Sequence, residues 1–95
     1  MKVEIKKSTN SNKKLMAIFY DGDKKIKTVH FGSAGMSDYT KHNDDERKKL
    51  YLTRHQKNEK WNNYMTPGSL SRWILWNLPT LQASIKDYKK KFNLL

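Results

Sequence analysis

KTVHFGSAGMSDYTKH (Lys27–His42) changes character halfway along. Lys27–Phe31 alternates, with Val29 and Phe31 to one side and Thr28 and His30 to the other, which is the period of a strand. Gly32, Ser33, Ala34 and Gly35 then let the backbone turn sharply. Beyond them Asn43-Asp44-Asp45-Glu46 opens a helix, with Asn43 and Glu46 spaced as a capping box and three acids at its positive end. Strands therefore precede this stretch and helices follow it.

Upstream, Val3 and Ile5 alternate with Lys2, Glu4 and Lys6 in a short strand whose lysines discourage edge pairing. Leu15–Tyr20 (LMAIFY) is apolar on both faces and reads as the central strand. Asp21-Gly22-Asp23 supplies the hairpin turn, and Lys25–Phe31 returns with Ile26, Thr28 and His30 on one face. Downstream, the first helix is expected to run to about Lys57 and to dock through Leu50, Tyr51 and Arg54. Asn58–Met65 is a connection. Thr66-Pro67 starts a second helix, which presents Leu70, Trp73, Ile74 and Asn77 and ends by Leu78. Pro79 opens the last helix, where Leu81, Ile85, Tyr88 and Phe92 form an amphipathic stripe. The expected fold is α+β, a single small domain over 1–95: an antiparallel three-stranded meander (1–31), a junction loop (32–42) and a three-helix part (43–92).

Ninety-five residues hold one domain, and such a chain buries only about 60–65% of its unfolded surface. Eleven aromatic residues separate it from a disordered polyelectrolyte of the same charge. With no cysteine, disulfides and cysteine-based zinc sites are excluded. No apolar run approaches the roughly 18 residues of a membrane span, and MKVEIKKST is no signal peptide. The expectation is a soluble intracellular protein with no membrane partner.

Twenty Lys and Arg stand against nine Asp and Glu, for a net charge of +11. The arginines are Arg47, Arg54 and Arg72; the other cations are lysines. Lysine is a compact, hydrated point charge, suited to diffuse attraction to phosphate more than to reading bases. The candidate phosphate contacts are Lys13, Lys14, Lys24, Lys25, Lys27, Arg47 and Arg54, with Lys86, Lys89, Lys90 and Lys91 on the last helix. The alternative is a solvated lysine shell.

Catalytic and metal chemistry finds less support. His30, His42 and His55 have no helical ligand spacing among them, and no metal or other cofactor is assigned. Asp38 and His42 are four residues apart but precede the helix. No catalytic residue is assigned; His30, Asp38 and His42 are the candidates should folding gather them. Ser37, Asp38 and Thr40 equally suit a turning backbone. Gly32-x-x-Gly35 lacks the length and the following lysine of a phosphate-binding loop. Trp73 sits among Leu70, Ile74, Leu75 and Leu78 and reads as a core ring, whereas Tyr20, Tyr39 and Tyr64 have polar neighbours and are candidates for exposed stacking.

The blocks KTVHFGSAGMSDYTKH (27–42), DDERKKLYLTRH (44–55), NEKWN (58–62) and SRWILWNLPTLQASIKDYKKKF (71–92) resemble a family of small uncharacterised proteins encoded by large DNA viruses of eukaryotes, with relatives in tailed phages. The resemblance implies a viral origin, and a place in the infected cell's cytoplasm or nucleus or packaged in the virion. It transfers no activity and no catalytic residues. Three functions follow as expectations. The first is a non-enzymatic nucleic-acid-binding accessory protein that contacts phosphates, most simply of DNA, with little sequence preference. The second is a virion structural or assembly protein, a minor capsid or cement component whose lysines face acidic virion proteins and whose Trp61, Tyr64 and Trp76 make a contact patch. The third is a small nuclease-like enzyme built on the His30, Asp38 and His42 set.

Overall fold

The computed structural model describes residues 1–57 and 59–95. Strands β1 (Lys2–Lys7), β2 (Lys13–Asp21) and β3 (Lys24–Ser33) form an antiparallel sheet with β2 in the centre. The expected α+β meander is the observed one. Alternation puts Val3, Ala17, Phe19, Val29 and Phe31 on one face, where they meet Leu70, Ile74, Leu75, Tyr88 and Leu94 in a single core. Helices cover that face; on the opposite face the polar alternates of β1 and β3 flank Met16, Ile18 and Tyr20 of β2, and Ile18 is buried there.

Two details of the sheet depart from simple alternation. A bulge between Phe19 and Tyr20 sets Phe19 opposite Lys27 and Tyr20 opposite Lys25. Ile26 is left unmatched and 42% exposed, so it does not continue the row of Thr28 and His30. At the far edge, Val3 N–H donates to Leu95 O and Leu95 N–H donates to Met1 O, both at 3.0 Å. The last residue thus closes part of the β1 edge that lysines alone were expected to protect. Asn93 makes this possible: its left-handed backbone (φ 55°) reverses the chain after the last helix and turns Leu94 into the core.

The junction holds more structure than a loop. Asp38 caps a single turn, α1 (Tyr39–His42), and accepts from Thr40 N–H at 3.0 Å. Asn43 does not cap the next helix. It takes the left-handed conformation (φ 51°) that ends α1, and its Nδ2 donates to Tyr39 O and Pro79 O. Asp44, one residue on, has the extended backbone a cap needs, and its Oδ1 accepts from Glu46 and Arg47 N–H. Helix α2 (Asp45–His55) therefore starts one residue later and ends two residues earlier than its composition indicated. Its buried residue is Tyr51, while Leu50 is 61% exposed and takes no part in docking.

Thr66 caps α3 (Pro67–Leu70) by accepting from Ser69 N–H, with Pro67 in the first turn as expected. The helix then widens into a π turn, Ser71–Leu75, closed by Trp76 N–H to Ser71 O at 3.0 Å. It ends at Leu75, short of the Leu78 limit that Pro79 imposes. Residues 76–80 are tied down individually. Ser84 is fully buried, and its hydroxyl accepts from Leu78 N–H. Asn77 Nδ2 donates to Asp87 at 2.7 Å. Thr80, not Pro79, caps α4 (Leu81–Lys91) through Ala83 N–H. The Leu81, Ile85, Tyr88 and Phe92 stripe faces the core as its spacing required. The three expected helices thus stand as α2, α3 with its π turn, and α4, with the single turn α1 added in the junction; Asn58, within the expected connection, lies outside the described residues. Among the described residues no helix is long and apolar enough to cross a membrane.

Gly32 is the tightest point of the chain. Its φ of +78° favours glycine, and a Cβ there would stand 2.6 Å from Leu75 Cδ1 in the core. Gly22 in the hairpin has φ +62° but open space around it. Gly32→Ala should cost about 2–3 kcal/mol, from backbone strain plus overpacking, and Gly22→Ala about 1 kcal/mol. Denaturant melts of the two variants measure the difference, which reports the Leu75 contact.

Candidate nucleic-acid interface

Six of the nine acids of this chain are engaged by its own groups, and this shapes its surface. Asp38 and Asp44 cap helices. Asp45 accepts from Tyr39 OH at 2.5 Å, and Asp87 accepts from Asn77. Glu4 pairs with Lys6 at 3.3 Å, and Glu59 lies 3.8 Å from His55. Among the described residues only Lys6 and Lys14, of the twenty Lys and Arg, are ion-paired with a carboxylate. The remaining cations make no ion pair with a carboxylate among the described residues, although Asp21 lies opposite Lys24 in the hairpin.

The sequence-derived contacts fall into groups at the two ends of the β2–β3 ladder. Lys24 opposes Asp21, and Lys25 opposes Tyr20, which in turn opposes Lys2. Leu94 N–H donates to Lys89 O, and Leu95 is bonded to Met1 and Val3. The C-terminal turn of α4 therefore sits beside the start of β1, and Lys89, Lys90 and Lys91 share the hairpin end with Lys24, Lys25 and Lys27. Lys86 is exposed one turn earlier on α4. At the other end of the ladder, Lys13 opposes Ser33. There Lys13, Lys14 and Arg54 line a cleft of about 360 Å³, with Ser33, Ser37 and Ser71. Arg47 stands on the first turn of α2, exposed and outside both groups.

Lys14 differs from its neighbours. Its ammonium lies 2.5 Å from Asp38 Oδ2, and both side chains are largely buried. Asp38 also accepts from the Thr40 hydroxyl. Lys14 thus holds the junction to the sheet and is not available as a phosphate contact.

His30, Asp38 and His42 do not form a shared site. His30 Nδ1 shares a 2.7 Å hydrogen bond with Ser8, across from Met16 on the sheet. Asp38 is held by Lys14 and Thr40. His42 Nδ1 accepts from Asp44 N–H at 2.9 Å, while its ring packs 5.4 Å from Trp76. Among the described residues no group of three His, Cys, Asp or Glu could hold a metal ion.

The aromatic residues are mostly structural. Tyr51 and Trp76 stack face to face, 4.2 Å apart and within 3° of parallel. His55 stacks on Tyr51 at 4.3 Å and His42 tilts against Trp76, which makes a column of four rings. Tyr39, expected to be exposed, is buried at 7%, because its hydroxyl has Asp45 and its ring carries the Lys48 ammonium at 4.8 Å. Tyr64 packs on Phe19 and Phe92. Trp73 is half-buried at the core edge, with Arg72 and Lys91 over its ring at 4.1 and 4.2 Å. Tyr20 keeps a half-exposed ring, with Lys2 at 5.6 Å.

Two cations that sequence patterns did not single out secure the end of the π turn. Arg72 Nη1 donates to Trp76 O at 2.9 Å, and Lys48 Nζ donates to Asn77 O at 2.6 Å. Positive charge at a helix C-terminus is favourable. Burial, and then the nearby Arg72 charge, pull the Lys48 ammonium below the ordinary lysine range. The i, i+3 spacing of Lys48 and Tyr51 was the available signal, since it places both on the docking side of α2.

Burial pushes the Tyr51 hydroxyl up to about 12 from an ordinary 10.0. Its contribution to stability is fully present below pH 10 and is lost as pH rises through about 12, because the unfolded chain releases that proton first. Denaturant melts across this window should lose stability more steeply than those of Tyr51→Phe, by up to about 1.4 kcal/mol per pH unit, the remaining slope belonging to Tyr39 and Tyr88, whose hydroxyl pKa values are also raised. Asp38→Ala should cost about 3 kcal/mol, since it removes a cap and strands Lys14. Adding Lys14→Met should recover part of that loss in the same melts.

No curated protein and no solved structure shows a significant match to the chain. The model of a family of unknown function (DUF5754) matches residues 3–55, which comprise the sheet, the junction and α2. That span is more than half of the chain and includes the β2, junction and α2 walls of the cleft, so the chain belongs to this family of unknown function.

Proposed function

We propose that the chain is a non-enzymatic nucleic-acid-binding accessory protein that contacts backbone phosphates through lysines with little sequence preference. The observation that carries this reading is the one-sided use of charge. The acids cap helices and satisfy buried donors, while most lysines reach solvent unpaired. A field of this sign attracts polyanions and releases their counterions on binding. The lysine-to-arginine ratio favours phosphate contact over bidentate base reading. The half-exposed Tyr20, between Lys2 and Lys25, offers a ring on which an unstacked base can rest. The resemblance of its sequence blocks to proteins of large DNA viruses favours a viral setting, in which the bound polymer is DNA in the infected cell.

The capsid or cement reading has less to stand on. Of the three rings it would use, Trp76 is stacked on Tyr51 and Tyr64 is packed on Phe19 and Phe92. The nuclease reading lacks a gathered catalytic set among the described residues.

Fluorescence anisotropy with labelled duplex and single-stranded DNA tests the proposal. Engagement of about four phosphates weakens duplex binding roughly 100-fold between 50 and 200 mM salt. Lys24→Ala/Lys25→Ala/Lys27→Ala should lower the log–log salt slope by about 2–3. Absence of binding at low salt, or affinity indifferent to salt, removes the proposal.

A further inference from the structure

The cleft at the Lys13 end of the sheet differs in kind from the exposed lysines of the hairpin. It is walled by the start of β2, the 33–38 turn, the C-terminal end of α2 and the start of α3. Its volume, about 360 Å³, is within the range of small-ligand sites. Four cationic or titratable bases line it: Lys13, Lys14, Arg54 and His55. Two acids do so as well; Asp38 is paired with a lysine, whereas Glu59 is paired only when His55 is protonated. Asp38 is held by Lys14 at 2.5 Å, and Glu59 lies 3.8 Å from His55. Lys13 and Arg54 remain, one from the sheet and one from α2, with no ion pair to a carboxylate among the described residues.

We propose that this cleft binds the terminal phosphate of a nucleotide, either free or at the end of a strand. A phosphate monoester carries about −1.5 to −2 at pH 7, which matches Lys13 and Arg54 together, whereas an internal phosphodiester carries one charge. Arg54 supplies the planar fork that pairs two phosphate oxygens, and Lys13 supplies a point charge from the facing wall. The hydroxyls of Ser33, Ser37 and Ser71 line the same space and can donate to the third oxygen. Apolar wall is present for the attached nucleoside in Met36, which is 66% exposed, and in Leu75 and Trp76. Gly32 keeps the cleft floor free of a side chain, which would run into Leu75. The strand-end form of this inference rests on the nucleic-acid reading above; the free-nucleotide form does not.

The test uses the full chain with one short oligonucleotide in three forms, 5′-phosphorylated, 3′-phosphorylated and unphosphorylated, and with AMP. Affinity is read by anisotropy and the site by amide NMR shifts. A terminal phosphate at the preferred end should tighten oligonucleotide binding about tenfold. Arg54→Gln or Lys13→Gln should abolish that preference, and both residues are exposed, so folding is preserved. Lys24→Ala/Lys25→Ala should weaken all three oligonucleotides and leave the preference intact. AMP should shift Gly32, Ser33 and Ser71 amides in the parent chain and not in Arg54→Gln. If AMP shifts these amides while the three oligonucleotides bind alike, the cleft takes the free nucleotide. If AMP binds and no oligonucleotide does, the cleft stands and the general nucleic-acid reading fails. Equal affinity for the three oligonucleotides with no AMP shifts overturns the cleft and leaves salt-dependent binding untouched. A preference that survives both glutamine variants overturns it equally.

Discussion

Tyr51 and Trp76 lie ring on ring, 4.2 Å apart, and this stack docks helix α2 on the rest of the molecule. Helix α2 has little else apolar to offer, since Leu50 points to solvent and Tyr51 is its buried residue. A stacked aromatic pair contributes about 0.5–1.5 kcal/mol beyond area burial, which is a large share of what holds so polar a helix. The stack also fixes the position of Lys48, whose ammonium helps Arg72 to close the end of the π turn. Because Tyr51 and Trp76 both line the cleft, the contact that docks α2 also brings Arg54 across from the sheet.

The second constraint is electrostatic. A chain with +11 on 95 residues repels itself, and its nine acids are too few to neutralise the surface. Four of them, Asp38, Asp44, Asp45 and Asp87, are used where one carboxylate does most for folding: at helix starts, against Tyr39 and Asn77, and in the Lys14–Asp38 pair. Fold and surface charge are therefore linked. Engaging acids within the chain leaves most of its lysines without an ion-pair partner.

Much of the scaffold was legible in the sequence because it rests on local rules. Alternation fixed the faces of β2 and β3, Asp21-Gly22-Asp23 placed the hairpin, Thr66-Pro67 started α3, and the four-three-four spacing of Leu81, Ile85, Tyr88 and Phe92 oriented α4. The misreadings arose where tertiary contact decided between local options. Asn43 and Asp44 are both good caps, and the choice turned on Asn43 closing α1 and reaching Pro79 O, 36 residues away. Tyr39 has polar sequence neighbours, yet its hydroxyl found Asp45 and its ring was buried. Leu95 as a partner for β1 carries no periodic signal, although Asn93 before two leucines is a helix-ending pattern. The candidate site was half legible. Lys13, Lys14 and Arg54 could be named from sequence, but not that Lys14 would be taken by Asp38 while the other two share a cleft.

On the proposed function, phosphate charge is what this surface recognises, and the most direct measurement removes that charge while keeping the bases. Binding of a single-stranded DNA should be compared with that of a peptide nucleic acid of the same base sequence, whose backbone is uncharged, at low salt. The account predicts that the charged strand binds and the uncharged one does not. Comparable affinity for both strands would contradict it.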